Sequence, residues 1–468
     1  MTKRGRIPWA WWLSSLLSLA VGPPLNAATF TVRTTQDKGK GSLRYALEQA
    51  NARAGSHSII FDFDGAGPFR IQPVSPLPDV VKPVFIDATR LAGFTGTPIV
   101  ELDGSRAGRG AHGLVLRGGH SEVRGLAIHH FDGAGLYLAG GVSNVVAGCW
   151  LGADPSAAMS GGNQFGLLIG GDSTYNTIGG LAASDGNVLS GNRTAGLAML
   201  GSDTTGNVIE GNRIGANGIG VLVEGSATNT IGGIQPGARN VVSANGNAGI
   251  LILGPAPGNV IQGNFIGLDP TGSRPLGNSG SGIVISNAVE ATIGGREAMA
   301  RNVISGNQFF GLDLSGEFHV VQGNFIGTDA AGLVAVPNGS APDGTGGLRV
   351  AGAYHTIGGP EMESGNLVSG NRGAGLLLVQ AAYCAVQCNW IGPDRTGVRA
   401  LPGQSDGVVL IDSLFNTIGG AGTVEGNLIS GNENHGLVLR GESQRNVIQR
   451  NWIGLNLAGL APLPNGGS

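Results

Sequence analysis

Aromatic residues recur at Trp150, Phe265, Phe325, Trp390 and Trp452, and four positions after each stands Asp154, Asp269, Asp329, Asp394 or Asn456. Aromatic faces beside acceptor oxygens, repeated along a surface, could stack on sugar rings and bond their hydroxyls. Two other readings stay open. Each following segment carries an apolar residue (Leu276, Val336, Leu401 or Leu463) that could lie over its aromatic, while the Asp caps its own loop as an Asx-turn. Alternatively the row of aspartates could hold Ca²⁺, a cation that favours oxygen ligands. A second polar concentration lies near the start of the chain, in Asp87, Asp103, Arg124, His129, His130 and Asp132. Neighbouring side chains on an extended strand point to opposite faces, so His129 and His130 are not expected to share a metal. No catalytic residue and no metal site is assigned, and solvated turns are the plain reading of these polar groups.

These residues are positioned by a repeat. A Gly followed by apolar, any, apolar recurs at Gly135, Gly166, Gly196, Gly220, Gly249, Gly282, Gly311, Gly347, Gly375, Gly407 and Gly436, with a shortest spacing of 220 − 196 = 24 residues. After each Gly come two short segments usually led by Asn, such as Asn207-Val-Ile and Asn212-Arg-Ile. Each repeat is therefore three short strands, a, b and c. Longer spacings come from inserts that fall alternately between b and c, opened by Thr-Ile-Gly-Gly, and between c and the next a.

Strands this short bury an apolar face only by stacking with their counterparts above and below. Val221 and Val223, Ile250 and Ile252, and Ile283 and Ile285 are expected to point into that core. The recurring Asn residues, among them Asn207, Asn212, Asn259, Asn264, Asn302, Asn324, Asn446 and Asn451, read as a structural ladder at the corners. Asn tolerates the left-handed backbone that corners require, and Gly supplies the bend beside it. Cys149 and Cys384 replace Asn at such posts and Cys388 replaces a Gly, so the three thiols read as packing residues, not a disulfide framework.

The fold expected is all-β: a single-stranded right-handed parallel β-helix of about 12–14 coils, roughly 60 Å long at ~4.8 Å per coil. The segments are a signal peptide over 1–28, an N-terminal cap and first irregular coil over 29–82, and the repeats over 83–468. The signal is read from Lys3, Arg4 and Arg6, the apolar run Trp9 to Val21 and the small residues Asn26-Ala27-Ala28. In the cap, Thr29-Phe-Thr-Val-Arg reads as a strand and 41–53 as a helix capped by Ser42, with Leu43, Ala46, Leu47 and Ala50 plugging the core. The last repeat opens a further insert with no strand a after it, which suggests a truncated chain or an end covered by another molecule.

Composition agrees. Gly is 86 of 468 residues against an ordinary ~7%, without a Gly-X-Y period. Charged residues are 13% and the net charge is −3, which argues against a nucleic-acid partner. No segment after the signal reads as a membrane span.

Gly-Ser-Leu-Arg-x-Ala-Leu-x-x-Ala-Asn in the cap, with Asn-Thr-Ile-Gly-Gly, Asn-Val-Ile-Ser-Gly-Asn and Gly-Asn-Phe-Ile-Gly-x-Asp in the repeats, resembles secreted right-handed parallel β-helix proteins of the pectate-lyase-like superfamily, including large bacterial surface proteins. The resemblance covers about residues 29–468. It implies the right hand, in accord with the handedness of parallel crossovers. It also implies that polysaccharide lyases and hydrolases are possible relatives, enzymes that use clustered carboxylates, sometimes with Ca²⁺. The regularity of this chain favours instead a secreted or surface-displayed rod that contacts polysaccharide or another surface protein, with end-to-end or side association. A lyase or hydrolase, and a spacer within a larger envelope protein, are the alternatives. Asp313 and Arg349, at the outward position of consecutive a strands, are expected to form a surface ion pair.

Overall fold

The computed structural model describes residues 27–152, 161–339 and 345–466; most of the expected signal segment and Asp154 lie outside them. The chain coils into three sheets of 15, 14 and 12 strands, and every pairing between strands is parallel. Sheet b begins with Thr29–Val32, His57–Phe61 and Val84–Asp87; sheet c with Phe69–Ile71, Val100–Asp103 and Leu126–His129; sheet a with Leu114–Leu116 and Ala134–Ala139. Stacking therefore starts inside the segment read as a cap. Thr29–Val32 is the first rung of sheet b and pairs with His57–Phe61. The helix Leu43–Ala52 follows it, capped by the Ser42 hydroxyl, which accepts the Tyr45 N–H, and it buries Leu43, Ala46, Leu47 and Ala50.

Inward columns run the length of the rod. Val221, Ile250, Ile283, Leu312 and Leu348 succeed one another in register and are fully buried. Coils approach closely at the marker glycines: a Cβ on Gly220 would lie 2.3 Å from the carbonyl oxygen of Gly249. The Thr-Ile-Gly motifs are themselves strands of sheet b, as in Thr177–Gly179 and Thr230–Gly232, so only the residues after them are inserts. The inserts between c and a close as small antiparallel loops, with bridges Leu268–Pro275, Thr328–Ala335, Pro393–Ala400 and Leu455–Pro462.

The corners carry three ladders, not the two that lead strands b and c. The third precedes strand a and includes Asn192, Asn217, Asn245, Asn278 and Asn307. In each ladder the side-chain oxygen of one post accepts the backbone N–H of the post one coil earlier, as Asn264 does from Asn240 and Asn302 from Asn264. Cys149 and Cys384 hold post positions, with their backbone N–H groups bonded to Asn187 and Asn416. All three cysteines are free and buried, and burial pushes their thiols up to about 11.

One expectation about the posts is corrected. The Asn posts do not adopt the left-handed backbone; where no insert precedes a post, the residue before it does. Gly206, Gly211, Gly263 and Gly323 have positive φ in that slot, and so do Cys388, Ala216, Ala244 and Tyr175. The post is needed for its amide, which both accepts and donates along the rod. No helix among the described residues is long and apolar enough to cross a membrane.

Candidate functional site

Sheet c carries one outward column that holds the recurring aromatics and, at its start, Arg70 and Glu101; Asp103 and His129 pair two residues further along the same strands. In register the column runs Arg70, Glu101, Ala127, Trp150, Val188, Arg213, Val241, Phe265, Val303, Phe325, Leu367, Trp390, Leu428, Trp452.

In the middle of that column the sugar-stacking expectation fails. Phe265 and Phe325 are 4% and 7% exposed and form a small apolar cluster with Leu268, Val303, Val336 and Leu367. Their outer faces are taken by the guanidinium groups of Arg239 and Arg301, each 4.0 Å from a ring centroid. Val336 and Leu401 are buried as covering residues, whereas Leu276 stays exposed and Gly272 takes its place over Phe265.

The acidic partners cap their loops. Asp269 accepts the N–H groups of Ser273 and Arg274 and the Thr271 hydroxyl. These bonds hold its carboxyl below the ordinary value. Asp329 accepts from Leu333 and Val334 N–H, Asp394 from the Thr396 N–H and hydroxyl, and Asn456 from Leu460 and Ala461 N–H. Each side chain serves the turn that follows it, which argues against a shared row of Ca²⁺ ligands.

Towards the far end the column opens. Trp390 is half-buried and Trp452 is 43% exposed. A cleft of about 410 Å³ is lined by Arg296, Arg301, Phe325, Glu363, Trp390 and Arg395 among others. A second, of about 270 Å³, lies between Trp390 and Trp452 beside Arg450. The two share Met362, Cys388 and Trp390, so they adjoin along the rod.

At the other end the polar residues divide. Arg124 pairs with Glu122 and with Asp185 at 2.8 Å, and Asp87 binds Thr89 and Arg90. Asp132 faces Arg193 at 3.6 Å and accepts the Gly110 N–H. Asp103, His129 and His130, by contrast, converge. The strand ends at His129, and His130 has φ 60° because it precedes Phe131, whose N–H bonds the Asn163 oxygen as a post would. The expectation of opposed His rings assumed extended backbone and is corrected: the two Nδ1 atoms lie 2.7 Å apart. Asp103 Oδ1 is 3.3 Å from His130 Nδ1. Asp103 also accepts the Ser105 N–H and the Gln72 amide; burial works against its ionisation, but these bonds and His129 outweigh it and hold its pKa below the ordinary value.

Two contributors went unnoticed in the sequence. Glu101 is fully buried, 3.8 Å from His129 Nε2, and Arg70 donates to it at 2.7 Å. Their positions in the outward column of sheet c were the available signal. His130 lines a cleft of about 340 Å³ with Gly104, Ser105, Gly108, Arg109, Asp132 and Arg193. Elsewhere, Asp313 and Arg349 pair at 2.7 Å as expected, both about one-third exposed.

Residues 94–266 match the family model described as right handed beta helix region. No curated protein matches the chain. Among solved structures it is similar to the A-module of the mannuronan C-5 epimerase AlgE6 of Azotobacter vinelandii, at 14% identity, covering 90% of this chain and 99% of that one, TM-score 0.43. It is similar to DFA-IIIase from Arthrobacter chlorophenolicus at 10% identity, covering 95% and 99%, TM-score 0.44. A mannuronic acid specific polysaccharide family 6 lyase from human gut microbiota aligns at 10% identity, covering 88% and 83%, TM-score 0.38. The three parallel sheets, with the family match over residues 94–266, show the fold of a right-handed parallel β-helix.

Proposed function

We propose that this chain is a rigid rod, exported or displayed at the cell surface, that contacts a polysaccharide along the sheet c column from Trp390 to Trp452. The observation that carries the reading is the pair of adjoining clefts walled by Trp390 and Trp452 and flanked by Arg301, Arg395, Arg450 and Glu363. Trp390 and Trp452 stand two coils apart, about 10 Å at ~4.8 Å per coil. Indole faces with charged groups alternating along a straight groove suit a chain of sugar rings: apolar C–H faces stack, and hydroxyl or carboxylate groups find partners. The export part of the reading rests on the basic start, apolar run and small-residue site in residues 1–28.

The test is a glycan array probed with the full-length chain, with and without Ca²⁺, beside Trp390→Ala, Trp452→Ala and Phe265→Ala. Binding that is lost in the two Trp variants and kept in Phe265→Ala supports the groove. Wild-type silence, or binding indifferent to Trp390 and Trp452, removes it and leaves a spacer role.

A polysaccharide lyase or hydrolase is the second reading, favoured by the convergence of Glu101, Asp103 and two His residues near a cleft. Shortening of a polysaccharide on incubation, abolished by Asp103→Asn, would replace the rod reading with that one.

A further inference from the structure

The N-terminal cluster has features that packing does not explain. His129 and Asp103 are buried outward-facing residues on adjacent strands, directly in register. The Nδ1 atoms of His129 and His130 sit 2.7 Å apart, at hydrogen-bond distance and sharing one proton in the neutral pair, and Asp103 Oδ1 lies 3.3 Å from the His130 atom. Donor atoms of all three residues fall within 4.8 Å of one another. The far nitrogen of His129, Nε2, is buried without a hydrogen-bond partner. Its near neighbour is the Glu101 carboxylate at 3.8 Å. A histidine that offers one nitrogen to a cation and turns its other N–H to a carboxylate is the arrangement that fixes tautomer and raises ligand basicity.

The supports are built on both sides. Asp103 is oriented by the Ser105 N–H at 3.0 Å and the Gln72 amide at 2.8 Å. His130 is held by its own N–H bond to Gly161 O at 2.6 Å. A Cβ on Gly161 would lie 1.9 Å from His130 Nε2, so glycine is what allows the imidazole to turn Nδ1 inward. Arg70 sits 2.7 Å from Glu101 and 3.9 Å from Asp103, so one guanidinium faces two buried carboxylates. A divalent cation suits that balance.

We infer that Asp103, His129 and His130 form a binding site for a borderline divalent transition cation such as Zn²⁺ or Co²⁺, bound through Oδ1 and the two Nδ1 atoms. Bonds of about 2.0–2.1 Å at a tetrahedral centre place donors about 3.3 Å apart. The Asp103–His130 edge already has that length, and the His–His edge needs to widen from 2.7 Å by about 0.6 Å. Two imidazoles with one carboxylate select such ions over Ca²⁺, which takes six to eight oxygens. Three protein ligands leave a position open, and His130 borders the cleft that holds Arg109 and Arg193, so that position is accessible to solvent or an anionic group. This inference is independent of the rod reading, which concerns the opposite end of the rod, and shares its residues with the lyase or hydrolase reading, from which metal binding alone distinguishes it.

The test is titration of the chelator-treated full-length chain with Co²⁺ alone, followed by absorption and calorimetry. The expected result is one Co²⁺ per chain, with a visible ligand-field band that Zn²⁺ abolishes by displacement. His130→Asn tolerates the left-handed backbone and removes one ligand; Asp103→Asn removes another without changing shape. Each should weaken binding at least tenfold while the circular dichroism spectrum is kept, and His435→Asn, an exposed His paired with Asp406, should bind as wild type. Absence of stoichiometric Co²⁺ binding, or binding unchanged in His130→Asn, overturns the inference. Should Asp103→Asn fail to fold, the partly exposed His130 variant decides alone.

Discussion

Tyr383 stacks on Tyr354, with ring centroids 5.2 Å apart and planes 9° from parallel, although both residues hold positive φ, 55° and 60°. Phe318 and Phe415 extend the stack at 5.1 Å on either side, and Arg445 lies over Phe415. All four rings occupy the slot before a corner post, where a left-handed backbone costs a non-glycine residue about 1–2 kcal/mol. Each stacked pair returns about 0.5–1.5 kcal/mol. Tyr383→Gly should therefore change stability by less than about 1 kcal/mol, because relief of strain offsets lost stacking. Tyr383→Ala keeps the strain and loses the stack, and should be less stable than Tyr383→Gly by about 1 kcal/mol. Chemical unfolding of the two variants side by side checks the order.

The Asn264 side-chain oxygen accepts the backbone N–H and the side-chain NH2 of Asn240, and its own NH2 donates to Asn302, Ile231 and Gln262. Asn264→Ala leaves several buried groups unpaired and should cost at least about 2 kcal/mol, since each such group costs about 1–3. Asn446→Ala, in a half-buried rung, should cost less. The comparison requires only unfolding midpoints.

Phe265 is core under an insert, so Phe265→Ala should destabilise by about 3–5 kcal/mol and free the loop that Asp269 caps. Limited proteolysis should then cut within 269–275. Trp452→Ala, at an exposed ring, should cost less than about 1 kcal/mol by the same unfolding assay.

His319 and His355 replace Asn in the ladder that leads sheet b, accepting the N–H groups of Ala291 and His319. Their rings stack 5.0 Å apart in the interior. Burial, with the neighbouring imidazole, pushes His319 down to about 4, and burial lowers His355 as well. Both are neutral when folded, while the unfolded chain takes up protons below about 6.5. The contribution of His319 is complete above that pH and is lost as pH falls from about 6.5 towards about 4, and that of His355 is lost in the same direction. For His319 the loss at pH 5 is about 2 kcal/mol. The double variant His319→Asn, His355→Asn should lose less stability between pH 7 and pH 5 than wild type. Equal losses would show that the pair is not acid-sensitive.

The fold was legible because each coil spells its corners with Asn and Gly and its core with paired apolar residues. The helix face Leu43, Ala46, Leu47, Ala50 followed from simple periodicity. The site was less legible for a physical reason. Strand alternation says nothing about a residue at a corner, and His130 is one position past the strand. Only aligning Phe131 with Asn192 as a post shows that His130 occupies the left-handed slot of Gly191. The burial of Phe265 likewise depends on Arg239 and Gly272, which meet it from another coil and from its own insert, a meeting no local pattern encodes.

Each ladder post is satisfied by the coils on either side of it, and the coil that begins at Gly196 has no insert. Excising residues 196–219 would set Asn176 against Asn229, Asn187 against Asn240 and Asn192 against Asn245, with all three columns intact. Duplicating the same segment would extend them equally well. Reach is thus a quantity that evolution or an engineer can adjust in steps of one coil, about 4.8 Å each, without redesigning any joint.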